Sequence, residues 1–241
     1  MSRRFIAVTD PGLVRPYNQD NYYLDPEGRF FVVADGMGGH AGGQEASRIA
    51  TEQFKSHLEE YWESELSSEE LLQKAFHQAN DGILRDQFAH PERSDMGTTA
   101  VVVIFRENQP WCAHIGDSRL YRLRDQILEQ MSEDHTWVGR AVRAGELTKE
   151  DAKIHPWRHV LSQCLGRKEP FGIDVQPIDV QPGDLLLICS DGLTEEVSDD
   201  LILSLLQEKS DLEETAKILL EEAKRAGGSD NITIVLVSQE Q

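Results

Sequence analysis

The chain has 241 residues, and its 43 acidic residues outnumber its 24 lysines and arginines to give a formal net charge of −19. This length allows one or two domains with a sizeable core, and the apolar fraction predicts a globular protein rather than a disordered one. The charge argues against nucleic acid and anionic membranes as partners, because clustered Lys and Arg bind both. An anionic substrate would therefore need a local cation to overcome the repulsive field.

Cysteine usage and apolar segments point to the compartment. Cys112, Cys164 and Cys189 lie far apart and form no Cys-x-x-Cys pair, so neither a disulfide framework nor a cysteine zinc site is indicated. The first ten residues lack the apolar region of a signal peptide. The most apolar run, Leu185–Cys189, is far shorter than the ~20 residues of a transmembrane helix. The sequence predicts a soluble, cytoplasmic protein.

Short runs rich in β-branched and aromatic residues predict seven strands. In chain order these strands are 5–9, 30–34, 98–105, 111–115, 120–123, 185–189 and 232–237. Several follow one another through short connections, which is typical of antiparallel hairpins.

Helical patterns lie between the strands. One helix is predicted over residues 44–61, and Ser67 with Glu70 predicts a capping box that opens a second. Asp211 opens a third, which Gly227 and Gly228 end. This order is not a βαβ alternation, so we predict an α+β fold. We see no repeat or linker and predict one domain over residues 1–241.

The segment 133–169 differs from the rest of the chain. It is polar, contains two tryptophans and lacks a strong strand pattern. A long segment of this kind favours an inserted flap over a site, with a plain long connection as the alternative.

Acidic residues recur where predicted strands begin or end. Asp35-Gly36 follows the strand 30–34 and leads into a glycine-rich loop, and Asp191-Gly192 follows the strand 185–189 in the same way. The other acids of this kind are Asp20, Asp117 and Asp230. Each acid alone could be an ordinary turn or cap residue.

Together the five acids indicate a metal site, because a β-rich fold can bring strand ends to one rim. Two carboxylates ~4 Å apart repel by roughly 4 kcal/mol at an effective dielectric constant of 20, and neither Asp-Gly pair has an adjacent Lys or Arg. Oxygen ligands favour Mg²⁺ or Mn²⁺ over zinc. Bridging carboxylates can hold two ions ~3.5–4 Å apart and activate a water, which suits hydrolysis of a phosphate ester.

A dinucleotide-binding oxidoreductase is the remote alternative. Gly36-x-Gly38-x-x-Ala41 fits the G-x-G-x-x-G/A fingerprint between a strand and a helix. Asp35 would, however, place a negative charge beside the pyrophosphate, where the fold needs positive potential. The following elements also do not continue as βαβ units.

Two other chemistries are weaker still. His155 and His159 are four residues apart, but Pro156 lies between them and no cysteine pair is near, so zinc binding is not favoured. Cys189 lies in an apolar strand beside an acidic pair, whereas a nucleophilic thiolate needs an electropositive loop. We interpret it as a core residue.

Six segments carry a family resemblance: RPYNQD, ADGMGGHAGG, MGTTAVVV, AHIGDSRLYR, CSDGLTEEV and GGSDNITIVLV. In this order they resemble the type-2C (PPM) metal-dependent protein serine/threonine phosphatases, above all the minimal stand-alone bacterial and cyanobacterial members. The resemblance implies a β-sandwich of two antiparallel sheets flanked by helices. It also implies a monomer that hydrolyses phosphoserine and phosphothreonine in proteins with a metal-bridging water.

The resemblance implies a metal ligand at each of five positions. Asp35 would bridge two Mn²⁺ or Mg²⁺ ions, and the Gly36 carbonyl would bind one of them. Asp191 and Asp230 would bind the other ion. Asp20 would act through metal-bound water.

The resemblance also implies further roles around these ions. Asp117 together with Asp191 would hold a third, weaker ion, and Arg15 would clamp the substrate phosphate. Some members have a histidine directly after the first Asp-Gly pair as general acid, but Met37 occupies that position here. His40 is a nearby candidate for substrate binding, and metal-bound water is the other candidate proton donor.

The substrate is implied only as a class. A phosphorylated signalling protein is expected, with the nitrogen regulator P-II as the candidate suggested by cyanobacterial members. The alternative function within the same fold is a catalytically weak regulatory member that binds phosphoproteins.

Overall fold

The computed structural model describes residues 2–39, 42–107, 109–169, 172–208 and 211–240. Its strands are β1 (Arg3–Asp10), β2 (Asp20–Leu24), β3 (Phe30–Met37), β4 (Gly97–Thr98), β5 (Ala100–Arg106), β6 (Gln109–Ile115), β7 (Arg119–Arg124), β8 (Ile127–Gln130), β9 (Asp174–Pro177), β10 (Leu185–Cys189) and β11 (Ile232–Gln239). Its α-helices are α1 (Gly42–Tyr61), α2 (Ser68–Ala89), α3 (Trp137–Arg143), α4 (Lys149–Ile154), α5 (Asp191–Thr194), α6 (Asp199–Glu208) and α7 (Leu212–Ala226).

The strands form two antiparallel sheets. One sheet has the order β1-β11-β10-β7-β8, and the other has the order β2-β3-β5-β6-β9 with β4 paired to β3. The predicted two-sheet α+β fold is therefore confirmed. All seven predicted strands are present, although the predicted strand 98–105 is divided between β4 and β5. The unpredicted strands β2, β8 and β9 are all edge strands, which are short because an open edge invites unwanted pairing.

The central strands are buried on both faces, which explains their continuous apolar sequences. In β3, Phe31 and Val33 pack between the sheets, while Phe30 and Val32 pack under α1 and α2. β10 and β11 alternate in the same way between the inter-sheet core and the helices α6 and α7. The result is four layers, with helices outside both sheets.

The helix caps that the sequence predicts are present. Ser67 and Glu70 form the reciprocal capping box of α2, and the Asp211 side chain accepts a hydrogen bond from Glu214 N–H at the start of α7. Gly227 follows the last residue of α7. The helix α6 was not predicted. Of the helices in the described ranges, α1 and α2 have the length to cross a bilayer, but neither is apolar enough.

We expect Phe31→Ala to lower the free energy of unfolding by about 3–5 kcal/mol, because a large buried aromatic leaves a cavity when truncated. Phe31 is fully buried and packs edge-to-face on Phe5 and Phe105, with ring centroids 5.1 and 6.0 Å away. Urea denaturation would measure the change. Phe88→Ala is the matched control, since that ring is 91% exposed. Equal losses in the two variants would contradict the described core.

Candidate metal centre

Five aspartates that are far apart in sequence meet at one end of the sandwich. Asp20 opens β2 and lies directly opposite Asp35 of β3 in the strand register. In the other sheet, Asp191 follows β10 and Asp230 precedes β11, the strand paired with β10. Asp117 lies in the connection from β6 to β7, which joins the two sheets. The charges of the other four aspartates all act on Asp35, so the predicted acids are brought together.

The carboxylates of this cluster are costly to ionise. Burial raises the pKa of Asp35 well above its ordinary value, and the charges of the other four raise it further. Burial is also the main cause that raises the pKa of Asp20 to about 7, of Asp191 to about 6, and of Asp117 well above its usual range. The charge of Asp191 is among those that raise the pKa of Asp35, so these two carboxylates oppose each other's ionisation.

Two carboxylate oxygens in the cluster are buried and have no hydrogen-bond partner among the described residues. They are Oδ1 of Asp20 and Oδ1 of Asp191. The second oxygen of Asp20 accepts a hydrogen bond from Ser190 Oγ at 2.7 Å. An unpaired buried acceptor is unfavourable, and hard divalent cations bind such oxygens. The residues present therefore fit Mg²⁺ or Mn²⁺.

Close backbone contacts explain the glycines of both Asp-Gly pairs. The first pair belongs to β3 and the second opens α5, so neither is the turn that such a pair usually forms. A Cβ at Gly36 would lie 2.0 Å from the Gly43 carbonyl oxygen, and one at Gly192 would lie 2.0 Å from the Asn231 carbonyl oxygen. Both glycines are needed because other segments of backbone cross here.

Two threonines hold the backbone of Asp35, and the sequence reasoning gave them no role. Thr99 N–H donates to the Asp35 carbonyl at 2.9 Å, and Asp35 N–H donates to Thr99 Oγ1 at 3.0 Å. Thr98 Oγ1 donates to the same carbonyl at 2.8 Å. Thr99 Oγ1 also lies 2.7 Å from the hydroxyl of Ser118, the residue after Asp117. The threonines thus connect two of the five acids.

Asn231 was also missed, and it joins the loop between β1 and β2 to the start of β11. Its Oδ1 accepts a hydrogen bond from Gln19 N–H at 2.7 Å. Its Nδ2 donates to the carbonyls of Pro11 and Tyr17 at 3.0 and 2.9 Å. The only signal in the sequence is that an asparagine directly follows Asp230.

Arg15 lies beside the cluster, as predicted, but its partner is a carboxylate. Its Nη2 donates to Asp230 Oδ2 at 2.8 Å. The side chain of Arg15 is 53% exposed, so the guanidinium can also be reached from solvent. The folded protein therefore gives the cluster a basic neighbour, although no Lys or Arg adjoins either Asp-Gly pair in the sequence.

Similarity to known proteins extends over nearly the whole chain. A sequence model of the protein phosphatase 2C family matches residues 16–230. The chain belongs to this family. It is 36% identical over 241 residues to serine/threonine phosphatase stp of Listeria monocytogenes serotype 4b, covering 96% of this chain and 94% of that protein. It is 35% identical over 243 residues to protein phosphatase PhpP of Streptococcus pneumoniae, covering 97% and 96%.

Solved structures of relatives have the same fold as this phosphatase. The serine/threonine phosphatase PstP/Ppp of Mycobacterium tuberculosis superposes with a TM-score of 0.90 at 37% identity, covering 99% of both chains. A catalytic domain of PstP in complex with two manganese ions superposes with a TM-score of 0.85 at 35% identity, again covering 99% of both chains.

The proton donor expected by analogy is absent from its position in this phosphatase. Met37 ends β3 and pairs with Gly97 of β4, and a thioether has no proton to donate. His40, predicted to bind substrate, lies outside the described residues.

His155 and His159 have separate partners in the segment 133–169. The His155 ring stacks on Trp137 with a centroid distance of 5.0 Å. The His159 ring contacts the Glu195 carboxyl group, and the ligand atoms of His159, Glu195 and Asp191 all lie within 4.8 Å of one another. The segment therefore reaches the cluster through α5.

Cys189 is a core residue, as predicted. It is fully buried in the cluster that β10 forms with α6 and α7. Burial raises the pKa of its thiol to about 12, so the thiolate needed for a nucleophile does not form.

We expect the melting temperature of the phosphatase in excess chelator to fall as the pH rises from 5 to 8. Folding raises the pKa values of Asp20 and Asp191 from 3.8 to about 7 and about 6. Between pH 4 and 7 the folded chain therefore holds protons that the unfolded chain has released, so stability falls with pH, by at most ~1.4 kcal/mol per unit for each proton.

The same measurement of melting temperature against pH separates the titration of these aspartates from general charge repulsion. Asp20→Asn should flatten the fall, because the amide does not titrate, and excess Mg²⁺ or Mn²⁺ should remove it. A melting temperature that rises over this range in chelator would contradict the described electrostatics.

Proposed function

We propose that this phosphatase hydrolyses phosphoserine and phosphothreonine in proteins at a binuclear Mn²⁺ or Mg²⁺ centre. The observation that carries the proposal is the cluster of five aspartates with two buried, unpartnered carboxylate oxygens. The relatives named above are serine/threonine phosphatases, and one relative's structure holds two manganese ions, which supports the same reaction and cofactor here.

The first two ions would be held by residues from both sheets. Asp35 would bridge them, the Gly36 carbonyl would bind one, Asp191 and Asp230 would bind the other, and Asp20 would act through bound water. Ions held in this way supply positive charge for the phosphate and lower the pKa of a bound water so that it can attack phosphorus. Asp20, 9% exposed and hydrogen-bonded to Ser190, is held in place to orient that water.

Asp117 would share a third, weaker ion with Asp191. The two carboxylates are close enough for the charge of Asp191 to raise the pKa of Asp117, after burial, well above its usual range. Arg119, two residues further on, does not neutralise this site fully, because its Nε and Nη2 both donate to the Asp134 carboxylate, at 2.9 and 2.7 Å.

Arg15 would bind the phosphate group of the substrate. Its planar guanidinium can contact two phosphate oxygens at once, which a lysine ammonium cannot match. Its half-exposed position beside Asp230 places it where a phosphate reaching the cluster would pass. With Asp35 and Asp191 it forms the set of residues we assign to catalysis. Met37 donates no proton, so we assign protonation of the leaving group to water.

Exposed apolar side chains around the cluster support a protein as substrate. The loop between β1 and β2 and the segment 133–169 supply seven of the eleven large apolar side chains that the described chain exposes: Leu13, Val14, Tyr17, Trp137, Ile154, Trp157 and Val160. The first segment contacts the cluster through Arg15, and the second through His159. Apolar patches of this kind mark sites of protein contact, and we propose that the segment 133–169 acts as a flap over the substrate.

Three further features belong to the proposal. The described cysteines are all unpaired, which supports action in a reducing compartment such as the cytoplasm. A monomer as the active form stays a prediction from the family resemblance. P-II as the substrate stays a prediction from the family resemblance.

We expect hydrolysis of a phosphothreonine peptide to stop in excess chelator and to return with Mn²⁺ or Mg²⁺. Asp35→Asn should lower kcat/KM at least ~100-fold, because the amide resembles the carboxylate in shape but lacks the negative charge of the proposed bridging ligand. Circular dichroism should show that this variant is folded. Asp81→Asn, on the outer face of α2, is the control. Full activity in chelator would refute the proposal, and a p-nitrophenyl phosphate assay without turnover would favour the regulatory alternative.

We expect Trp157→Ala to lower kcat/KM for a phosphoprotein about fivefold or more and to leave p-nitrophenyl phosphate hydrolysis unchanged. Trp157 is 54% exposed, and truncating an aromatic at a protein contact commonly costs over ~1 kcal/mol. The small substrate is too short to reach it. Phe88→Ala, which truncates an even more exposed ring on α2, should change neither rate. Equal effects on both substrates would argue against a substrate-contacting role.

A further inference from the structure

His135 lies near the start of the segment 133–169 and is bonded to three other parts of the chain. Its N–H donates to the Gly116 carbonyl at 2.9 Å, and Gly116 N–H donates to its ring Nδ1 at 3.2 Å. Its carbonyl accepts a hydrogen bond from Ser162 N–H at 2.8 Å. Its ring Nε2 lies 3.1 Å from Asp174 Oδ2 on β9. The residue is 7% exposed, so water competes little for these bonds.

The hydrogen bonds fix the tautomer of His135. Because Gly116 N–H points at Nδ1, that nitrogen must offer a lone pair, and the ring proton of the neutral imidazole must be on Nε2. Nε2–H then donates to the Asp174 carboxylate. The carboxylate thus keeps Nδ1 free to accept from Gly116.

A cluster of possible metal ligands lies beside this histidine. Ligand atoms of His114, His135 and Asp174 lie within 4.8 Å of one another. Protein groups already contact two ring nitrogens of this cluster: Asp174 Oδ2 lies 3.1 Å from His135 Nε2, and the carbonyl and N–H of Glu133 lie 2.8 and 3.2 Å from His114 Nε2. We therefore interpret the three side chains as a hydrogen-bonded support.

We propose that His135 is a positioning residue that holds Asp117 in place for the third, weaker cation, an inference that rests on the proposed function. Gly116 immediately precedes Asp117, and His135 binds both its N–H and its carbonyl. Those two groups belong to the peptide planes on either side of Gly116. With both planes fixed, the direction in which the chain enters Asp117 is fixed too.

A contact on the opposite side of Gly116 completes the support. The φ of Gly116 is +101°, and a Cβ there would lie 2.5 Å from the Thr99 side chain. Gly116 is thus enclosed between Thr99, which also holds Asp35, and His135. Through Ser162, His135 also ties the returning end of the segment 133–169 to the same point, so that segment and Asp117 share one anchor.

The tautomer of His135 and its hydrogen bonds to Gly116 can be tested without any metal. In the metal-free protein, imidazole ¹⁵N shifts should show His135 as the Nε2–H form. His135→Ala should speed exchange of the Gly116 amide hydrogen at least ~10-fold, since the loss of one buried hydrogen bond is worth about 1–3 kcal/mol. His135→Asn, whose Oδ1 can take the place of Nδ1, should restore most of the protection. A protonated Nδ1 or unchanged exchange overturns the inference.

Calorimetric titration with Mn²⁺ tests the consequence for the centre. His135→Ala should weaken the weakest Mn²⁺ site about tenfold while the tighter sites stay unchanged, and His135→Asn should recover part of the loss. His77→Ala, on the exposed face of α2, is the control. If Asp117→Ala leaves every Mn²⁺ site unchanged, the proposed third ion is wrong. If Asp117→Ala removes the weakest site and His135→Ala does not affect it, the positioning role of His135 is wrong.

Discussion

Repulsion among buried carboxylates is the constraint on which the rest of this molecule depends. Five aspartates meet where the two sheets end, and burial makes the charges of four of them costly. Such groups do not associate on their own, because removal of water penalises the charged form and like charges add to the penalty. The chain must therefore impose the arrangement through its backbone and satisfy it with a cation.

The backbone does so through contacts that leave little freedom. Strand pairing sets Asp20 opposite Asp35. At Gly36 and Gly192, other backbone segments lie so close that no side chain would fit. Thr99 and Asn231 then bond the acidic segments to their neighbours. Behind them β3, β10 and β11 are buried on both faces, so the cluster lies at the ends of strands that are fixed by the core. A site built in this way is preorganised, because its supporting shell does not have to move.

Much of this could be predicted from the sequence, because the strands that carry the cluster leave a strong local pattern. A continuous apolar run that ends in Asp-Gly marks a strand buried on both faces and places its acid at the strand end. The edge strands β2, β8 and β9 leave no such pattern, and α6 spans fewer than three turns, which is too short for helical spacing to show. The individual ligand roles of the acids came from family resemblance, which no local pattern replaces.

Contacts between distant segments could not be predicted. Gln19 and Asn231 are 212 residues apart, and nothing near either residue identifies the other. His135 appears in the sequence as one more histidine in a polar segment, and its importance comes only from the fold that brings Gly116 and Asp174 to its two ring nitrogens. The partner of Arg15 is a further case, since the sequence suggests a phosphate and the structure shows Asp230.

That last contact makes two binding events interdependent. If Asp230 is a metal ligand as proposed, the ion and the guanidinium of Arg15 would compete for its single negative charge. An ion bound there would weaken the salt bridge and leave Arg15 available to a phosphate. By thermodynamic linkage, phosphate that engages Arg15 must then favour the ion by the same factor. Under the proposed function, the salt bridge would thus couple metal binding and recognition of the phosphorylated protein in both directions.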